Sequence, residues 1–271
     1  MSRIADTFAA LKTRKQAAFI PFFAAGDPDI ATTAQLIKGA AATGADLIEI
    51  GIPFSDPIAD GPVIQAAFYR SLENGFKIAH AFEMVKSLRS DGLKTPLVCM
   101  VSYSLVYKRS LETFLKQAKE AGFDGLIIPD LPAGYEGDAA EKTAAAGLDL
   151  IFLIAPTTTS ERRDIIAKRS RGFIYYVSIA GITGARTNLP EDLEANVKDI
   201  QSRTATPVCV GFGISRPEQA KAVAAFAGGV IVGSALVKKT EEALAQGLKG
   251  EALAKGVLQL SKDLAEAAHG K

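Results

Sequence analysis

Two acidic residues raise the question of chemistry. In the run LIEIGIPFSDPIADGP, residues 47–62, Glu49 sits among Leu47, Ile48 and Ile50 as if inside a buried strand, and Asp60 ends a loop rich in proline and aspartate. Strand side chains alternate between faces, so Leu47, Glu49 and Gly51 share one side and Ile48 and Ile50 the other. The isoleucine face suits packing against helices, which turns Glu49 toward the interior of the sheet. An apolar interior penalises the carboxylate form, so its pKa should rise into the range useful for moving protons. A purely structural glutamate would need a buried lysine or arginine beside it, and no strand end offers one. Asp60 has two readings from pattern alone, a second acid of the site or a cap for the helix beginning GPVIQAAFYRSL. Asp27 in GDPD and Asp56 in SDP read as turn formers.

The elements that must hold these acids repeat along the chain. TGADLIEIG (43–51), AGFDGLIIPD (121–130), AAGLDLIFLIAP (145–156) and FAGGVIVGSA (226–235) share one grammar: small residues, a glycine, then a short hydrophobic strand. Four further runs, FIPFFAAG, PLVCMVS, FIYYVS and PVCVGFG, bring the candidate strands to eight, starting near 19, 46, 97, 124, 149, 173, 207 and 229. Such short, partly β-branched runs suit strands buried on both faces. Helical patterns fill 30–42, 77–90, 109–121, 135–146, 160–170, 190–202 and 216–226, followed by a C-terminal helix, with Asp29, Ser160 and Ser215 at cap positions and Pro217 in a first turn. Strands alternating with helices predict parallel β/α units. Eight of them fit an α/β fold of one domain over residues 1–271, a (β/α)8 TIM barrel. Ile4, Phe8 and Leu11 recur at helical spacing, so residues 1–14 are expected as an extra helix covering the barrel bottom. Residues 53–61 and 179–190, after the second and sixth strands, are expected to be mobile active-site loops.

Composition narrows the function. The 271 residues are 48% hydrophobic and carry a formal net charge of +1, with basic residues scattered. No nucleic-acid groove or anionic membrane surface is implied. No run reaches the roughly 20 apolar residues that span a bilayer, and the start has no signal-like apolar stretch, so a cytoplasmic location is expected. Cys99 and Cys209 lie in strand-like runs and read as buried reduced thiols. No lysine stands at a strand end, which disfavours a Schiff base. His80 and His269 read as surface residues too far apart in sequence to suggest a metal site. Glycine-bearing strand exits come late: AGITGAR (180–186), GFGIS (211–215) and GSA (233–235). Barrels often bind phosphate with the loops after strands seven and eight and a helix N-terminus. The ligand suggested has one phosphate end and one aromatic or aliphatic end.

The runs FIPFFAAGDPD, DLIEIGIPFSDPIADGPVIQ, LIIPDLP, SIAGITGAR, GFGIS and VGSALVK, in this order, resemble the tryptophan synthase alpha chains across nearly the whole chain. The resemblance implies a lyase that splits indole-3-glycerol phosphate into indole and glyceraldehyde 3-phosphate without metal or imine. It implies that Glu49 moves the protons and Asp60 holds the indole N–H. Phe22, Ile127, Leu153, Phe212 and Ile231 would line the indole slot, Ile64 and Ser102 would also bind substrate, and Tyr175 would lie near the glycerol chain. Gly184, Gly213, Gly233 and Ser234 would hold the phosphate, and Thr183 would close over the site. It further implies a beta-subunit partner in an α2β2 complex, with pyridoxal phosphate on that partner and no cofactor here. Ser102 and Ser104 depart from the family pattern, which usually has tyrosine at the first position and asparagine at the second. A free-standing indole-releasing lyase and a non-catalytic phosphate-ester-binding barrel are the competing readings.

Overall fold

The computed structural model describes residues 2–58, 60–177, 189–211 and 213–270. Its strands are β1 (Ala18–Ala24), β2 (Ile48–Gly51), β3 (Leu97–Met100), β4 (Gly125–Ile127), β5 (Asp149–Ile151), β6 (Leu153–Ile154), β7 (Ile174–Val177), β8 (Val208–Gly211) and β9 (Gly229–Val232). All neighbours run parallel in the order β5-β4-β3-β2-β1-β9-β8-β7-β6. β5 and β6 are two lengths of one strand, one pairing with β4 and the other with β7 across the break at Phe152, so the chain itself closes the ring. The outcome is the expected (β/α)8 barrel, with each strand starting within two residues of its sequence-derived position.

The helices are α1 (Arg3–Arg14), α2 (Ile30–Ala42), α3 (Pro62–Glu73), α4 (Ile78–Ser90), α5 (Tyr103–Tyr107), α6 (Leu111–Ala121), α7 (Ala139–Ala145), α8 (Ser160–Arg169), α9 (Leu193–Arg203), α10 (Pro217–Ala224), α11 (Ser234–Ala245) and α12 (Gly250–Ala268). Strand alternation sorts the core in two. Phe19, Ile48, Ile50, Cys99 and Leu126 face the helix ring, while Ile20, Leu47, Val98, Ile127 and Ile151 fill the lumen. Ile4, Phe8 and Leu11 of α1 join the lumen cluster. Ser2 caps α1 and donates to Asp149, and Arg3 pairs with Asp124 at 2.7 Å, which fixes the helix at that end.

Several local expectations are corrected. The helix expected over 135–146 forms only as α7, because Gly134 and Gly137 take φ of 84° and 58°, which interrupts regular winding. Ser160 is the first residue of α8 and Thr159 holds the cap position. Arg216 stands at the cap of α10, while Ser215 donates through its N–H and hydroxyl to Gln219 Oε1. His269 is no surface residue: its Nε2 lies 2.8 Å from Asp46 Oδ2, which also accepts from the Phe19 amide. Asp27 is more than a turn former, since it is buried and the part-exposed Arg70 grips both its oxygens at 2.9 Å.

Candidate active site

The register Phe22↔Glu49↔Val98 sets the level of the acid, with phenylalanine and valine as its strand neighbours. Glu49 is 1% exposed, and neither carboxylate oxygen has a hydrogen-bond partner among the described residues. Burial without compensation favours the neutral acid, and the nearby Asp60 charge adds to the effect, so the pKa rises to about 8. Asp60 reaches the same cavity from the loop after β2. It does not cap α3, whose cap is Gly61 with no side-chain hydrogen bond. Its backbone carbonyl accepts from Gln65 Nε2 at 2.8 Å, which ties the residue to the first turn of α3. Partial burial lifts its pKa to about 6. The two carboxylates therefore divide near neutral pH, one mostly protonated and the other mostly ionised.

Both line a cavity of about 420 Å³ at the C-terminal ends of the strands, with Phe22, Ile64, Met100, Tyr175 and Ile231 as its apolar walls. Glycines make room for two of these rings. A β-carbon at Gly51 would come within 2.4 Å of Phe22 Cζ, and one at Gly211 within 2.4 Å of the Tyr175 hydroxyl. Burial raises the Tyr175 pKa well above its ordinary value, with further help from Glu49 and Asp60. The same cavity is lined by Gly213, Ser215, Gly233, Ser234 and Ala235, which offer backbone and hydroxyl groups. Gly213 sits at φ 80°, a conformation that suits glycine and brings backbone close to a ligand. Ser234 and Ala235 open α11, and first-turn amides have no partner inside their own helix. Unspent amides and the positive end of a helix dipole suit an anion. The cavity can shuttle protons beside its apolar walls and hold a phosphate at the helix start.

The family described as "Tryptophan synthase alpha chain" matches residues 8–268. The chain belongs to this family. A tryptophan synthase alpha chain from Synechocystis sp. is 46% identical over 243 residues, covering 89% of this chain and 92% of its relative. The crystal structure of tryptophan synthase subunit alpha from Legionella pneumophila str. Paris superposes with a TM-score of 0.92 at 35% identity, covering 100% of both chains. A Pyrococcus furiosus tryptophan synthase structure is similar at TM-score 0.84 and 38% identity, covering 92% of this chain and 98% of that one.

Among the residues that the tryptophan synthase resemblance singles out, the cavity gathers Phe22, Glu49, Asp60, Ile64, Tyr175, Gly213, Ile231, Gly233 and Ser234. Ile127 and Leu153 pack in the lumen cluster and do not line the cavity. Ser102 lines a neighbouring cavity of about 150 Å³, which shares Asp60 and Met100 with the first. Its hydroxyl donates to Asp130 Oδ2 at 2.8 Å, and the Tyr103 amide donates to the other oxygen at the same distance. Thr183, Gly184 and Phe212 lie outside the described residues. Sequence reasoning passed over Val63, Met100, Ile214 and the charged group Lys238, Lys239, Glu241 and Glu242. Alternation from Val98 points to Met100, and the four-residue step from Ser234 points to Lys238. The mouth is thus less apolar than its strand ends alone suggest.

Proposed function

We propose that this chain cleaves indole-3-glycerol phosphate to indole and glyceraldehyde 3-phosphate by a retro-aldol step. Family membership supports the reaction, and one observation carries the assignment of roles: two carboxylates buried to different degrees in one cavity, which also takes in a glycine-lined helix start, with burial lifting the Glu49 pKa further than that of Asp60. Neutral Glu49 donates its proton to the indole ring carbon that bears the glycerol chain. The ring becomes an indoleninium, and ionised Asp60 accepts a hydrogen bond from its N–H and faces the new positive charge. The Glu49 carboxylate then takes the proton from the adjacent hydroxyl, the carbon–carbon bond breaks, and its electron pair returns to the ring. Aldehyde and indole leave, and Glu49 is again protonated. Phe22, Ile64 and Ile231 flank the ring, with Ile127 and Leu153 as support from below. Tyr175 stands by the glycerol chain, and Gly213, Gly233 and Ser234 hold the phosphate.

We further infer a beta-subunit partner in an α2β2 arrangement, the assembly named for the Pyrococcus furiosus neighbour. Ile58, Tyr107 and Tyr135 follow β2, β3 and β4 at the active-site end and are 82%, 75% and 75% exposed, which favours a docking face over a bare surface. Pyridoxal phosphate is assigned to the partner. No helix among the described residues is long and apolar enough to cross a membrane. Cys99 and Cys209 are free and buried, which fits the cytosol as the proposed compartment. The test is direct: the purified chain is incubated with indole-3-glycerol phosphate and indole is measured. Folded protein that releases none, alone or with a beta subunit, refutes the reading.

A further inference from the structure

The two lysines of the cavity have no task in the scheme above. Beside the mostly neutral Glu49, the described charged residues lining it are Asp60, Glu241 and Glu242 against Lys238 and Lys239. An anion entering this field meets more acid than base, and the amides at the start of α11 carry only partial charge. The two lysines are not equivalent. Lys239 Nζ lies 3.6 Å from Glu242 Oε2, and Glu241 faces Arg70 at 3.6 Å. Lys238 forms no ion pair or hydrogen bond among the described residues.

Its position supplies the geometry. Ser234 and Lys238 are four residues apart on α11, and both line the cavity. Residues at that spacing lie on one face, about 6 Å apart along the axis. Helical side chains lean toward the N-terminus. The four-carbon stem of Lys238 is long enough to span the rise back past Ser234 to the first-turn amides. Lys239 is turned about 100° away around the same axis.

We propose that Lys238 binds the substrate phosphate, its ammonium completing the cradle begun by the backbone amides of Ser234 and Ala235. This rests on the reading of the substrate as indole-3-glycerol phosphate. The ammonium–phosphate contact forms in the ground state and persists unchanged through cleavage, because the phosphate lies remote from the breaking bond. Uniform binding of that kind lowers KM and leaves kcat alone.

The experiment compares wild type with Lys238→Gln and Lys238→Arg. Cleavage kinetics are measured, together with calorimetric binding of glycerol 3-phosphate and, separately, of uncharged indole. For an exposed lysine the expected effect of Lys238→Gln is about fivefold in KM and in glycerol 3-phosphate affinity. Its kcat stays within about twofold, its indole affinity is unaltered, and Lys238→Arg restores the phosphate ligand. Unchanged KM and glycerol 3-phosphate affinity in Lys238→Gln would overturn the proposal. So would equal weakening of both ligands, which would mark a general disturbance of the fold. A wild type that binds glycerol 3-phosphate through Lys238 yet releases no indole would remove the cleavage reading and keep this one.

Discussion

The separated acids predict a bell-shaped pH profile whose two limbs belong to known residues. Turnover requires Asp60 ionised and Glu49 protonated. With values of about 6 and about 8, each group is about 91% in its required form at pH 7, and about 83% of the enzyme is competent. At pH 5 only about a tenth of Asp60 is ionised, and at pH 9 only about a tenth of Glu49 is protonated, so the rate falls about ninefold at either extreme. The assay is indole release from pH 5 to 9.5 at constant ionic strength. A substrate phosphate also titrates near 6, so the acidic limb must be assigned by substitution. Asp60→Asn abolishes that limb if it belongs to Asp60. The same change removes a charge that helps to raise the Glu49 pKa, so the alkaline limb moves to lower pH. It also costs turnover: a charge pair at ~4 Å and an effective dielectric near 20 amounts to about 4 kcal/mol, or roughly a thousandfold in kcat if it exists only in the transition state. An alkaline limb that stays in place in Asp60→Asn, or activity that keeps rising above pH 9, refutes the division of roles.

Three other substitutions probe the supports. Glu49→Gln should lower kcat by about 10²- to 10⁴-fold with little change in substrate affinity, as read by steady-state kinetics and by binding under conditions of no turnover. Gly51→Ala drives a β-carbon into the Phe22 ring, so it should raise KM and cost about 1–3 kcal/mol in urea unfolding. Arg70→Met leaves Asp27, 5% exposed, without its bidentate partner, and because Arg70 is itself part-exposed, denaturation should show a loss of about 1–3 kcal/mol near neutral pH. That loss should shrink at low pH, where Asp27, its pKa already raised by burial, is protonated.

How much of this was legible in the sequence depends on the range of the interactions that decide each feature. The eight strands were readable because each is a short apolar run, four of them set off by a preceding glycine, a local signal. The inward turn of Glu49 was readable because alternation is local too, and Leu47 and the isoleucines settled the face. His269 was misread because its partner, Asp46, lies 223 residues away in the chain and only the closed ring brings them together. Asp27 was misread for the same reason, its partner being 43 residues distant on α3. Lys238 carries no strand-end signal, because a helix, α11, delivers it to the cavity. Met100 follows from Val98 by alternation, but nothing local marks it as a wall that two cavities share.

The burial that prepares Glu49 for chemistry also loads the fold, and this gives the division of roles a second, independent test. Glu49 is fully buried, and its pKa stands at about 8 where an unfolded glutamate titrates near 4.5. The native state therefore holds a proton that the unfolded chain releases between these values, and stability declines as pH rises through that window. A shift of about 3.5 units corresponds to roughly 5 kcal/mol, fully present below pH 4 and lost above pH 8. Glutamine is neutral at every pH and of similar shape. Glu49→Gln should thus match wild type at pH 4 and exceed it by several kcal/mol at pH 9, even though it is nearly inactive. Unfolding by urea across that range measures the difference directly. Curves that stay parallel from pH 4 to pH 9 would mean that Glu49 is ionised in the folded protein at neutral pH, and an ionised Glu49 has no proton to give the indole ring.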